Sequence, residues 1–163
     1  MTCQLISGTV VVMTRWLTDD ELAAWRGLLD MTTRLETRIN RELQEQSGLS
    51  LPDYAVLVPL SEAEDGRLRA FELAEAMGWA QSRLSHHLSR MHKRGLVDRT
   101  NCDSDRRGAF IVLTDAGRQA IEAAAPAHAD FVRALVFDGL TPGQVQTLKA
   151  ISQTVLQRLD DSA

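Results

Sequence analysis

The stretch 79–118, WAQSRLSHHLSRMHKRGLVDRTNCDSDRRGAFIVLTDAGR, constrains the fold more than any other part of this chain. Residues 81–94 carry Leu84, Leu88 and Met91 on one narrow apolar stripe, the pattern of a helix with a single buried face. Gly95 stops it. A short strand follows, then a loop with Asp105-Arg106-Arg107-Gly108, then a β-branched return strand over 110–113. Thr114 caps the next helix. Helix, basic hairpin and helix in that order read as a winged helix-turn-helix within a mainly α fold that has a small β wing.

That shape sets one helix in a DNA groove and a positive loop beside it. A net charge of −4 argues the other way when taken alone. Residues 79–108, however, hold seven basic side chains (Arg83, Arg90, Lys93, Arg94, Arg99, Arg106, Arg107) against three acidic ones (Asp98, Asp103, Asp105). The window is therefore +4, which leaves −8 for the remainder. Phosphate contact needs a local positive face, not a positive protein. The acidic remainder repels DNA from surfaces that should not bind it.

With 163 residues, 44% of them hydrophobic, the chain makes one domain or two small lobes sharing a core. No run of about 18 apolar residues is present, so no membrane partner is expected. Residues 9–13 are apolar, but they are too few and lack preceding charge for a signal peptide. Residues 1–13 are expected to be a disordered or start-site extension, with Met13 as the alternative beginning. Cys3 and Cys102 lie far apart in dissimilar surroundings, which fits a reducing, cytoplasmic setting rather than a structural disulfide.

Thr18-Asp19-Asp20-Glu21 spells a capping box, and Leu22, Trp25, Leu29, Leu35, Ile39 and Leu43 predict a helix over about 18–46, closed by Gly48. Ser50-Leu51-Pro52-Asp53 starts a second helix carrying Tyr54, Leu57, Val58 and Leu60. Residues 61–69 read as a polar turn around Gly66, and 71–77 as a short helix closed by Gly78. The alanine-rich helix from 115 is expected to kink or split at Pro126. Thr141-Pro142-Gly143-Gln144 opens a last helix that runs to about 159. The winged core then occupies about 52–118. The helices at about 18–46 and 115–160 carry apolar stripes that so small a core cannot cover, which predicts a helical dimerisation lobe. A two-fold homodimer presents two recognition helices about 34–36 Å apart, so the DNA target is expected to be a pseudo-palindrome.

The strings FELAEAMGW, SRLSHHLSRMHKRGLV and DRRGAFIVLTDAGR resemble, in that order, the MarR (multiple antibiotic resistance regulator) family of bacterial transcription regulators. The resemblance covers about 14–159. Its most diagnostic part is the match of Asp105, Arg107, Gly108, Leu113, Thr114 and Gly117 to the family's Asp-x-Arg-Gly wing tip and Leu-Thr-x-x-Gly helix start. The resemblance implies a dimer and a repressor released by a small aromatic or anionic ligand. It implies DNA contacts from Ser82, Arg83, Ser85, His86 and Ser89, and phosphate contacts from Arg90 and Lys93. Arg107 would enter the minor groove beside Arg106, with Asp105 supporting the wing. The chain departs from the family where polar caps usually stand, at Phe71 and Ala80. A missing cap costs roughly 1 kcal/mol.

Blander readings stand beside these. A charged helix face is ordinarily solvated surface. Neighbouring histidines on a helix point about 100° apart, so His86 and His87 cannot chelate together, and no metal site is expected. The histidines are expected in groove or core contacts. Cys102, beside positive charge, and Cys3 keep open a cysteine-based redox-sensing regulator. Trp16, Trp25 and Tyr54 are expected near a cleft, either as packing or as the wall of a ligand pocket. A winged-helix protein-interaction module is the other alternative, although it has no use for Arg106 and Arg107 at the wing tip. No Gly-rich phosphate loop, nucleophile elbow, Cys-x-x-Cys or His-Glu-x-x-His occurs, so neither an enzyme nor a cofactor is expected.

Overall fold

Thr18 opens the first helix by reciprocal bonding. Its hydroxyl accepts from the Glu21 amide at 3.2 Å, and the Glu21 carboxylate accepts from the Thr18 amide at 2.8 Å. The computed structural model describes residues 15–102 and 105–161, without the side chains of 101, 102 and 105–108. The expectation for residues 1–13 lies outside that range. The chain divides into two compact units, Met1–Leu35 and Glu36–Ala163. Helix α1, Asp19–Ser47, begins in the first unit and ends in the second at Gly48, whose φ of +68° suits a residue without a Cβ.

The second unit continues with α2 (Leu51–Glu62), β1 (Arg67–Arg69), α3 (Ala70–Ala76), α4 (Gln81–Lys93), β2 (Val97–Cys102), β3 (Asp105–Leu113), α5 (Asp115–Val132) and α6 (Pro142–Asp160). The strands form an antiparallel sheet in the order β1-β3-β2, with Leu68 opposite Ile111 and Val97 opposite Leu113. The core gathers Val56, Leu57 and Leu60 from α2, Leu73 from α3, and Leu84 and Met91 from α4. Val97 and Ile111 join them from the sheet and Ile121 from α5. The predicted stripe of Leu84, Leu88 and Met91 is buried. Among the described residues no helix is long and apolar enough to cross a membrane.

Four expectations need correction. The polar turn at 61–69 contains β1, because Arg67, Leu68 and Arg69 pair with Val112, Ile111 and Phe110. Three residues are too few to show an alternating pattern, so the partner strand determines their state. The loop carrying Asp105 to Gly108 belongs to β3, which starts at Asp105 opposite Cys102 and leaves only 103–104 between the strands. Pro126 does not split α5. One missing ladder bond is outweighed by the packing of Ile121 and Ala124, and the helix continues to Val132 before passing into a π-helical stretch, Arg133–Phe137. The start of α3 at Ala70 is not bare either, because the Glu72 carboxylate accepts from the Arg69 amide at 2.9 Å.

The Leu-Thr-x-x-Gly string acquires a structural reason here. Thr114 Oγ accepts from the Gly117 amide at 3.0 Å and donates to the Gly95 carbonyl at 2.6 Å. The N-cap of α5 is thus bonded to the residue that ends α4. A Cβ on Gly117 would collide with the Leu96 carbonyl oxygen and approach Leu113 Cδ1 to 2.8 Å. Gly117→Ala is therefore expected to destabilise the fold by about 1–3 kcal/mol, the cost of forced overpacking, despite alanine's better helix propensity. Denaturant unfolding checks this, and an unchanged or raised midpoint would refute the close approach.

Candidate nucleic-acid interface

Helix α4 sorts its side chains into a buried face, an exposed stripe and two flanks. Leu84, Leu88 and Met91 point into the core. Ser82, His86, Ser89 and Lys93 recur at three- and four-residue steps, so they share one exposed stripe. Arg83 and Arg90, two turns apart, flank it on one side, while Ser85 lies on the other; all three are exposed. The seven sequence-predicted positions on this helix are thus brought together on solvent-facing surface. No side chain caps the helix start at Ala80, which is the departure expected from the sequence.

The flank of Ser85 borders the hairpin. Gln81, Ser85, Ser89 and His92 of α4 face Asp98 and Arg99 of β2 across a groove of about 460 Å³. His92 Nδ1 lies 3.1 Å from Asp98 Oδ1 and bridges helix to strand. Arg67 and Arg69 of β1 stack over Phe110 of β3, at 5.1 and 4.1 Å from the ring centroid. Arg106 and Arg107 occupy the first positions of β3 with Asp105, and the side chains of all three lie outside the described residues. Cys3, and the side chain of Cys102, lie outside them as well.

The opposite flank rests on a buried polar cluster. Asp53, only 2% exposed, is the third residue of α2. Its Oδ2 accepts from the Ser50 amide at 2.9 Å and from Arg94 Nη1 at 2.6 Å. Arg94 Nη2 also donates to the Gly48 carbonyl at 2.9 Å. His87, 5% exposed, places Nε2 3.1 Å from Asp53 Oδ1. Its Nδ1 lies 2.9 Å from Arg90 Nη2. The edge of the His87 ring meets Trp79 at 5.5 Å, and the Arg83 guanidinium sits 4.1 Å over the Trp79 ring. Burial pushes the Asp53 carboxyl pKa upward. The interactions with His87, Ser50 and Arg94 outweigh burial and hold it well below the usual carboxylate range.

Sequence reasoning missed this cluster. Asp53 looks like half of a capping box, and it is one, but its contacts with residues 87 and 94 leave no trace in local spacing. One signal was present. His87 falls within the stripe of Leu84, Leu88 and Met91, and a polar group at a buried helical position must find a partner. His87 is the core-contacting histidine that was expected.

The aromatic residues singled out as packing or pocket are placed as follows. In the first unit, Trp16 is 84% and Trp25 50% exposed. In the second, Tyr54 packs on the core, with its ring 4.5 Å from that of His128. Burial, aided by the Glu42 carboxylate, raises the Tyr54 pKa above its ordinary value. Among the described residues no three His, Cys, Asp or Glu side chains gather as metal ligands.

Comparison with known proteins agrees with this geometry. The MarR family model matches residues 47–108. The transcriptional repressor MprA of Escherichia coli is 25% identical over 140 residues, 86% of this chain and 78% of that protein. The crystal structure of Sco3205, a MarR family transcriptional regulator from Streptomyces coelicolor in complex with DNA, is 42% identical with a TM-score of 0.86, covering 90% of this chain and 92% of that one. AbsC, a MarR family transcriptional regulator from the same organism, is 41% identical with a TM-score of 0.85, covering 91% and 99%.

The depressed Asp53 pKa sets a pH dependence. Its folded value lies below the ordinary 3.8, so the charged network stabilises the fold above that value and is lost as pH falls further. Asp53→Asn is expected to cost about 1.5–3 kcal/mol at neutral pH, the worth of hydrogen bonds to a charged group. The gap to the parent chain should close on the acid side of 3.8. Denaturant melts over that range test it, and a gap independent of pH excludes a charged Asp53.

Proposed function

The chain belongs to the MarR family of DNA-binding transcriptional regulators, and from that premise we propose that it works in the cytoplasm as a homodimeric repressor on a pseudo-palindromic operator. The observation that carries the DNA-contact assignment is the exposed face of α4. It brings Ser82, Arg83, Ser85, His86, Ser89, Arg90 and Lys93 to one surface beside the hairpin of a chain that is otherwise acidic. Short hydroxyls and an imidazole can approach base edges, while Arg90 and Lys93 neutralise phosphate. Arg106 and Arg107 stand at the start of β3, in the hairpin. They are the proposed minor-groove contact.

Exposed apolar surface supports the dimer. Helix α6 has no buried residue, and Ile151, Val155, Leu156 and Leu159 are between 47% and 62% exposed. In the first unit, Trp25, Leu28, Leu29 and Met31 are exposed as well. Patches of this kind are covered by a partner in working proteins, and a second copy with two-fold symmetry is the simplest cover. The proposal includes release by a small aromatic or anionic effector, for which the exposed indoles of Trp16 and Trp25 offer flat apolar area.

Selection of bound fragments from a random duplex pool tests the proposal. Enriched sites should be inverted repeats whose half-sites are centred about one helical turn apart. A pool that stays random would refute sequence-specific binding. On a selected site, Arg107→Ala should weaken affinity by roughly tenfold or more and relax the salt dependence by about one phosphate contact, leaving the oligomeric state unchanged. Equal affinity at matched salt removes the wing assignment. Ile151→Glu combined with Leu156→Glu should convert the protein to a monomer in sedimentation and lower operator affinity. A dimer that survives both charges would place the interface elsewhere.

A further inference from the structure

Two arginines on the exposed side of α4 are held before any DNA arrives, and both supports lead back to His87. A guanidinium only donates, so the Arg90 Nη2 contact at 2.9 Å requires His87 Nδ1 to accept. The neutral ring then carries its proton on Nε2, which is the nitrogen 3.1 Å from Asp53 Oδ1. The Arg90 contact thereby selects the tautomer and turns the ring N–H toward the carboxylate, close to it but without a formed hydrogen bond. Asp53 is itself held by the Ser50 amide and by Arg94, so it cannot turn away. The same imidazole meets Trp79 edge to face at 85°, and the Trp79 ring carries Arg83.

We propose that His87, buried against Asp53, is a positioning residue for DNA binding, which holds Arg90 through Nδ1 and, through Trp79, seats Arg83. This rests on the DNA-binding reading above. His87 is buried and touches no DNA itself; its role is to aim side chains that do. A free arginine samples many rotamers, and ordering it on a phosphate or base edge costs affinity. Here much of that ordering is complete in the folded protein. The two guanidiniums sit two turns apart on one flank, a spacing set by the helix and an aim set by the supports beneath them.

The test has a part that needs no DNA. Nitrogen chemical shifts of the His87 ring report which nitrogen is protonated. Protonated Nε2 with unprotonated Nδ1 is expected, and Asp53→Asn or Arg90→Ala should each disturb that preference. A parent protein protonated at Nδ1 overturns the proposal. The second part is a double-mutant cycle on a selected duplex, followed against salt. His87→Phe keeps the ring stack and removes both nitrogens. It should lose roughly five- to tenfold in affinity, as for one side chain that must be ordered anew, and add little further loss when combined with Arg90→Ala. His87→Gln, whose amide keeps one acceptor and one donor, should retain most of the affinity. It also carries the cycle if the Phe variant does not fold.

Additive losses in the cycle, or a Gln variant as weak as the Phe variant, would reduce His87 to an ordinary packing residue. Parent protein that binds no duplex at all would instead overturn the function reading, whatever the ring shifts show.

Discussion

A carboxylate withdrawn from water must be answered by donors from whatever surrounds it, and that demand organises the side of the molecule that carries α4. Asp53 recruits the backbone at Ser50, the guanidinium of Arg94 and the imidazole of His87. Through Arg94 it also reaches the carbonyl of Gly48. The end of α1, the start of α2 and the second half of α4 therefore meet at one charge. Apolar packing of Leu84 and Met91 holds α4 against the core but is indifferent to small rotations. The hydrogen bonds of Asp53 to Ser50 and Arg94 are directional, so they fix the end of α4 relative to the start of α2.

The outward face gains its character from what lies beneath it. Ser82, His86, Ser89 and Lys93 lie exposed on their stripe, whereas Arg83 and Arg90 lean on Trp79 and His87. The exposed face of α4 is thus braced on one flank only. The hairpin flank differs again. A groove of about 460 Å³ separates α4 from β2, bridged by His92 and Asp98. Polar groups on both walls keep that space compatible with water.

What was legible from the sequence is whatever local spacing encodes. The capping boxes at Thr18 and Thr141 were readable because cap and partner are three residues apart, and the helix start at Ser50 was readable from the same kind of local pattern. The stripe on α4 and the stop at Gly95, with φ of +73°, were readable for the same reason. Strand β1 was not, since Arg67, Leu68 and Arg69 are strand only because Phe110, Ile111 and Val112 lie opposite. The length of β3 was hidden by Arg106, Arg107 and Gly108, residues that look like a loop until Cys102 is placed opposite Asp105. Of the interface, the exposed arginines were visible as charge on a helical face. Their supports were not, because Asp53 and Arg94 are 41 residues apart. No periodicity spans such a gap.

The meeting of Gly117 with Leu96 has a mechanical consequence. The two backbones are already in contact there, and Thr114 bonds across the same joint to Gly95. Close-packed matter of this kind does not compress. The joint therefore couples the start of α5 closely to the end of α4. Further along the chain the regular winding of α5 gives way to the π-helical stretch Arg133–Phe137. The start of α5 is thus fastened to the residues that close α4, both by close packing at Gly117 and by the Thr114 hydroxyl.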